Sequence, residues 1–526
     1  NNYVRSILED RQGNIWFGSV SDGIKIFDQK KGQFRSIRAS EDQNKKHLIS
    51  DKILSIYRSR SGIIWVGTNG NGISYYYPDS ADFSILSKKN RSLRFSSTRE
   101  ICEDQDGDLW ISGYGGINIL DGMTRRFKAE IFIGESICSL LHDPDDPDLL
   151  WVGTEGDGIA FYNKKTRKKW DLGYTYQKGE NKILGYSIYT IIYDRPGYYW
   201  IGSELGLNKY DRQEKKITHY THEANRVNSL GSGPVRALMK DSRGELWVGT
   251  STGGISKQVH RSNHFINYVH DHEDNRTISS NTILTFYEDK KGRLWIGTAG
   301  GLNRYVRNSE RFKSHTMRDG LPNDTIYGIL EDNQGHLWLS TNLGISRFNP
   351  ETGVFKNYDA GYGLQSNEFN RHSSYRSHTN ILYFGGVNGI SYFDPTDIKE
   401  NHYKPPLVLT QFKKFNRQVN LDPDISFTSE IQLNYNDSIF SFEFAALNYY
   451  NSMKNQYAYK IEELNGEWIH LGNRRDISIA NLRPGSYTLK IKGANNNGVW
   501  SKKNVTLKLY VRPPFWDSTW FKFLSI

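Results

Sequence analysis

The 526 residues are enough for several domains, and 37% hydrophobic with 13% aromatic residues supplies cores for them, which excludes a disordered chain. Forty-eight glycines suit a turn-rich β protein. The net charge of +10 is spread along the chain without a dense basic run, so nucleic-acid binding is disfavoured while an acidic small ligand is compatible.

The chain opens directly on a strand-like run, NNYVRSILED, with no signal peptide before it, and a fragment of a longer protein is expected from that abrupt start. A turn, DRQG, leads to a returning strand around Trp16. The same pattern comes back around Trp65, Trp110, Trp151, Trp200, Trp247, Trp295 and Trp338, with Tyr383 in the equivalent place of a ninth copy, at spacings of 41 to 49 residues. A glycine stands three residues before the aromatic in seven of the nine copies, and a second glycine follows each, from Gly23 to Gly389. A period of about 40–50 residues points to a solenoid, a propeller or an array. Residues 279–305, SSNTILTFYEDKKGRLWIGTAGGLNRY, decide among them. TILTFYED is apolar and β-branched, DKKG is a tight turn, RLWIGT returns, and GGLNRYV and RFKSHTM supply third and fourth strands. Nothing has helical periodicity, and four short antiparallel strands per unit make a propeller blade.

The expected architecture is all-β: a seven-bladed β-propeller, preceded by remnant blades of another propeller and followed by an immunoglobulin- or fibronectin-like β-sandwich. Residues 1–91 read as the last two blades of an N-terminal propeller and 92–405 as a complete seven-bladed one; a single nine-bladed ring is the competing arrangement. From 406 to 512 the Trp-Gly pattern stops and six or seven short strands alternate, with Trp468, Tyr457, Tyr459 and Tyr487 as expected core anchors. Residues 513–526, RPPFWDSTWFKFLSI with its preceding Arg512, read as a juxtamembrane segment, too short to span a bilayer itself. Cys102 and Cys138 fall at different phases of the repeat, which disfavours a disulfide.

Repeats of the form EDxxGxLWIGTxxGGLxxY, closed by GISYFDP at 389–395 and followed by PLVLTQFKKFN, FEFAALNY, YAYKIEELNGEW, NLRPGSYTLKIKGANNNGVWS and PPFW, resemble the sensor region of Bacteroides-type hybrid two-component systems. The matching elements are the two-component-regulator propeller repeats and the triple-tyrosine domain, and they cover essentially the whole chain. The resemblance implies a periplasmic sensor that binds glycan-derived oligosaccharides. It also implies an inner-membrane span beyond the C-terminus and a cytoplasmic histidine kinase whose output switches on polysaccharide-utilisation genes. The chain departs from that pattern in having nine repeats and no cytoplasmic part, so phosphotransfer is implied for the parent protein and not for this segment. A homodimer is expected, and neither a cofactor nor a metal.

The repeated carboxylates Asp10, Asp104, Asp241, Asp289 and Asp332 invite comparison with glycosidase acid/base pairs, but a group copied into most blades at one phase is a turn-former. His270 and His272 form an H-x-H without a third ligand at a familiar spacing. Longer, varied connections on one rim of a rigid scaffold are where binding groups tend to sit. They offer His222, Arg226, His270, His272, Arg276, Arg318, Tyr362, Asn367, Asn370 and Arg371, with Tyr114 and Glu204 from the turns after the WxG strands. These are planar donors, acceptors and rings of the kind sugars need, and the Arg and His content favours an acidic oligosaccharide. The alternatives are a propeller glycosidase or polysaccharide lyase, which needs one convergent acid/base pair near the axis, and a protein-binding scaffold, which needs an exposed apolar patch.

Overall fold

The computed structural model describes residues 3–39, 48–77, 83–259, 262–517 and 521, and the chain divides into two compact units, 82–398 and 1–81 with 399–526. Both are β-built, and the helices among the described residues are single turns.

In the unit 82–398, seven four-stranded antiparallel sheets follow one another. Their innermost strands are Thr98–Glu103, Ile137–His142, Ile188–Arg195, Val235–Lys240, Ile283–Glu288, Gly328–Glu331 and Phe369–Arg376. Each lies beside the next around one axis, and Phe369–Arg376 closes the ring on Thr98–Glu103, where Thr98 Oγ1 meets Ser373 Oγ at 3.0 Å. The seventh sheet takes its outer strand from Ser84–Leu86, paired antiparallel with Gly389–Phe393. The sequence reading left these three residues in the preceding segment. They latch the last blade to the start of the unit, which removes an open edge, and a three-residue strand is too short for periodicity to reveal.

Six of the nine repeats are fixed by a buried carboxylate. Trp16, Trp110, Trp151, Trp247, Trp295 and Trp338 donate their indole N–H to Asp10, Asp104, Asp143, Asp241, Asp289 and Asp332 at 2.8 to 3.1 Å. In Asp104 and Asp289 the other oxygen accepts backbone N–H groups of the hairpin turn, for example Asp106 N at 3.1 Å and Arg293 N at 2.9 Å. The repeated acids are therefore spent on turns and tryptophans. The glycine in the turn after the tryptophan strand has a positive φ in every copy. Gly344 has φ +98°, and a Cβ there would stand 2.0 Å from the Tyr358 carbonyl oxygen.

The second unit holds a four-stranded sheet, Val4–Glu9, Ile15–Ser19, Ile24–Asp28 and Gln33–Ile37, and three strands, Ile53–Arg58, Ile64–Thr68 and Ile73–Tyr76. Its sandwich packs a four-stranded sheet built on Leu407–Lys414 and Ile439–Ala446 against a five-stranded one built on Gln456–Ile461, Gly485–Ala494 and Val505–Val511. Alternating residues Leu409, Phe412, Phe440, Phe442, Leu489, Ile491, Leu507 and Leu509 fill the space between them. Tyr457 is fully buried and Tyr459 and Tyr487 pack at the margin, as expected of anchors. Trp468 is not a core residue: it is half-buried, with Lys492 Nζ 4.3 Å from its ring centre, because the turn before it carries the ring to the surface. Both cysteines are free. Of the expected juxtamembrane segment, 518–520 and 522–526 lie outside the described residues; among the described ones no helix is long and apolar enough to cross a membrane.

Candidate functional site

Six of the seven innermost strands of the unit 82–398 carry a β-bulge near their start, where the pairing register slips. A bulge adds a residue without a partner and re-aims its side chain. The residues at this phase are Arg99, Cys138, Tyr189, Arg236, Leu284, Tyr327 and Asn370, and all but the buried Leu284 line a cavity of about 340 Å³ at the mouth of the ring. Tyr114, Glu155, Phe369, Arg371 and His372 complete the wall. The volume lies at the small end of the range for ligand sites, about 300–1,000 Å³.

The seventh strand departs furthest from regular pairing. Phe369 faces Gly386 and Ser374 faces Phe384, so the bulge holds several extra residues, Asn370 to Ser373. His372 within it has φ +58°, a left-handed conformation that a histidine adopts at a cost of order 1–3 kcal/mol. Its Nε2 has no hydrogen-bond partner, and burial, then the charge of Arg371, pulls its pKa down to about 4, so the ring is neutral at pH 7.

Three guanidiniums converge here. Arg99 lies 4.3 Å over the Tyr114 ring, donates to the Tyr114 hydroxyl and donates to Glu155 Oε2 at 3.2 Å. Glu155 also accepts from Ser136 Oγ at 3.0 Å. Arg236 stacks 3.5 Å over Tyr189, and its Nε is buried without a partner. Burial, then the charge of Arg236, holds Arg371 below the usual guanidinium range. Among the described residues no carboxylate stands within ion-pair distance of Arg236 or Arg371, and Glu155 is the only acid in the wall.

Of the residues proposed from the sequence, Tyr114, Asn370 and Arg371 meet in this cavity. Asn370 also donates to Thr98 O at 2.8 Å across the ring closure. The others lie elsewhere, engaged with their own loops. Glu204 accepts from the backbone N–H groups of Tyr186 and Ser187 at 2.7 and 2.9 Å. His222 and His270 bond through Nδ1 to the carbonyls of Leu230 and Ile278, at 3.0 and 2.7 Å. Arg226 reaches Asn228, Arg276 pairs with Asp274 at 2.9 Å, and Asn367 accepts from Ala360 N at 2.8 Å. Arg318 sits in a capped turn after Thr316, and Tyr362 meets Tyr358 edge-on at 5.4 Å. His272 Nδ1 lies 3.2 Å from His270 Nε2, and among the described residues no group of three metal-ligating side chains forms. Sequence reasoning missed Arg99, Cys138, Glu155, Tyr189, Arg236, Tyr327 and His372. A signal was present: aligning the repeats puts Arg, Cys, Tyr, Arg, Leu, Tyr and Asn at one phase, directly after a position that is apolar in six of the seven copies.

The two component regulator propeller model matches residues 1–21, 47–70, 229–252, 277–300 and 320–343, and the Y_Y_Y domain model matches 448–512. Histidine kinase P4 of Formosa agariphila is 28% identical over an alignment 541 positions long, which covers 99% of this chain and 35% of that protein. The chain thus spans about a third of the length of that curated relative. The extracellular domain of BT3049 from B. thetaiotaomicron, described as a hybrid two component system, superposes with a TM-score of 0.79 at 26% identity, over 97% of this chain and 68% of that one. The extracellular domain of BT4673 from the same organism shares the fold, with a TM-score of 0.51 at 22% identity over 98% and 70%.

Proposed function

For a chain built of two component regulator propeller repeats and a Y_Y_Y domain, similar to the extracellular domain of a hybrid two component system, we propose the role of an extracytoplasmic ligand sensor. Its ligand is a glycan-derived oligosaccharide, which enters the mouth of the ring formed by 82–398. The observation that carries this reading is the cavity itself: in a scaffold of repeated turns, one phase of the repeat brings two arginines and two tyrosines around a hollow, and Arg371 and Tyr114 beside them make three of each. Rings for stacking and planar donors are the groups a sugar needs.

The parent protein is a periplasmic sensor kinase anchored in the inner membrane through a span beyond residue 526, and it controls polysaccharide-utilisation genes. Ligand binding favours one arrangement of paired protomers over another, and the difference in affinity for the two arrangements carries the signal. Hydrolysis of the glycan is the weaker reading, because paired carboxylates about 5–10 Å apart are required and the wall contributes one acid, tied to Arg99.

Calorimetric titration against neutral and acidic oligosaccharides, with the mixtures checked for cleavage, tests this. Binding without turnover is expected. Cleavage, or silence across the whole panel, would overturn it. Solution scattering of the bound and free protein tests the signalling step, which requires a change in protomer arrangement.

A further inference from the structure

Several arginines of this propeller are neutralised by carboxylates. Arg212, Arg293 and Arg307 each sit on a buried carboxylate, Asp143, Asp289 and Asp241, at 2.6 to 2.8 Å. Arg99 is neutralised by the exposed Glu155. Arg236 and Arg371 stand apart in another way: they share one cavity, stand near each other's charge, and have no acid within ion-pair distance among the described residues. His372 adds the cost of a left-handed backbone at the same bulge.

We propose that Arg236 and Arg371 form a seat for a single anionic group of the ligand, a carboxylate or a sulfate, with the Tyr189 ring holding Arg236 in place and His372 beside it. The seat rests on the sensing reading for its meaning, and it is separable from it by experiment. An anion in the cavity would supply the charge the two arginines lack, and each guanidinium offers the parallel N–H pair that fits a planar or tetrahedral oxyanion. Arg99 takes no part, since Glu155 already neutralises it. The arrangement predicts an unusual signature: a residue kept for binding at the expense of the empty protein.

Thermal unfolding of the full segment at fixed ionic strength, with glucuronate, glucose 6-sulfate, glucose and the methyl ester of glucuronate, tests the seat. One or both acids raise the melting temperature while glucose and the ester do not; which acid acts separates carboxylate from sulfate. Arg236→Gln and Arg371→Gln melt at or above the wild type when ligand-free and weaken the acid about tenfold or more. Arg226→Gln, outside the cavity, keeps the full response. Equal responses to acid and neutral sugar, a response that survives both glutamine variants, or silence of both acids overturns the seat. If neutral oligosaccharides bind in titration while both acids are silent, the seat falls and sensing stands. If the acids bind and no oligosaccharide does, the seat stands and the glycan reading falls. Should a glutamine variant fail to fold, the comparison of glucuronate with its methyl ester in the wild type decides alone.

Discussion

Asp289→Ala tests whether the repeated carboxylate is architecture. Asp289 is 4% exposed and Trp295 1%. Its Oδ2 accepts from Trp295 Nε1 at 2.8 Å and Arg293 Nε at 2.6 Å, and its Oδ1 from the backbone N–H groups of Lys291 and Arg293 at 3.0 and 2.9 Å. Alanine strands the indole N–H in a dry core, at about 1–3 kcal/mol for a buried donor without an acceptor. The turn amides and the Arg293 head can reach water, so they add only about 1 kcal/mol together. The expected loss is about 2–4 kcal/mol, with roughly half of it recovered by Asp289→Asn, which keeps one acceptor oxygen but turns an NH₂ toward a donor. Urea unfolding followed by tryptophan fluorescence reads this, provided the slope of the propeller transition is unchanged. A loss below about 0.5 kcal/mol for the alanine variant, within the range of ordinary surface changes, would refute the clasp; so would an asparagine variant as unstable as alanine.

Gly344→Ala must place a Cβ against the Tyr358 carbonyl at a positive φ, so it costs at least the roughly 1–2 kcal/mol of the left-handed conformation; an unchanged melting curve would contradict the contact. Leu86, 3% exposed, anchors the latch strand, and Leu86→Ala is expected to cost about 2–5 kcal/mol and to expose 83–97 to limited proteolysis before other segments. Burial lifts the Glu100 carboxyl from 4.5 to about 8. Because the folded value is the higher, the protonated group favours folding fully below pH 4.5, and this contribution drains away as pH rises through about 8. Glu100→Gln therefore flattens the fall in stability between those values, and a parallel pair of pH profiles would refute the assignment.

Much of the fold was legible in the sequence because the blade is a local object. The Trp-Gly spacing, the DxxG turns and the strand lengths lie within fewer than fifty residues of one another, and each copy repeats the same short-range physics. The identity of the clasp was also half-written: acids recurring at one phase could not be a unique catalytic pair, and the structure spends them on indole N–H groups. The loop histidines and arginines misled because their types suit ligands, while nothing local tells that Arg276 will be satisfied by Asp274 or His270 by the Ile278 carbonyl.

What the sequence determined alone, then, was the blade and the count of repeats, set by contacts between residues close in the chain, and the point near 406 where the repeat stops. The tertiary structure decided two things. It closed the ring with Ser84–Leu86, some 300 residues from the strand it pairs with, and it brought Arg99, Arg236 and Arg371 around one cavity. The closure is not visible along the chain and the cavity shows there only as one variable phase of the repeat, because each arises from circular closure. A bulge residue repeated once per blade is scattered in sequence by a whole repeat, and only the turn of the ring makes its copies neighbours.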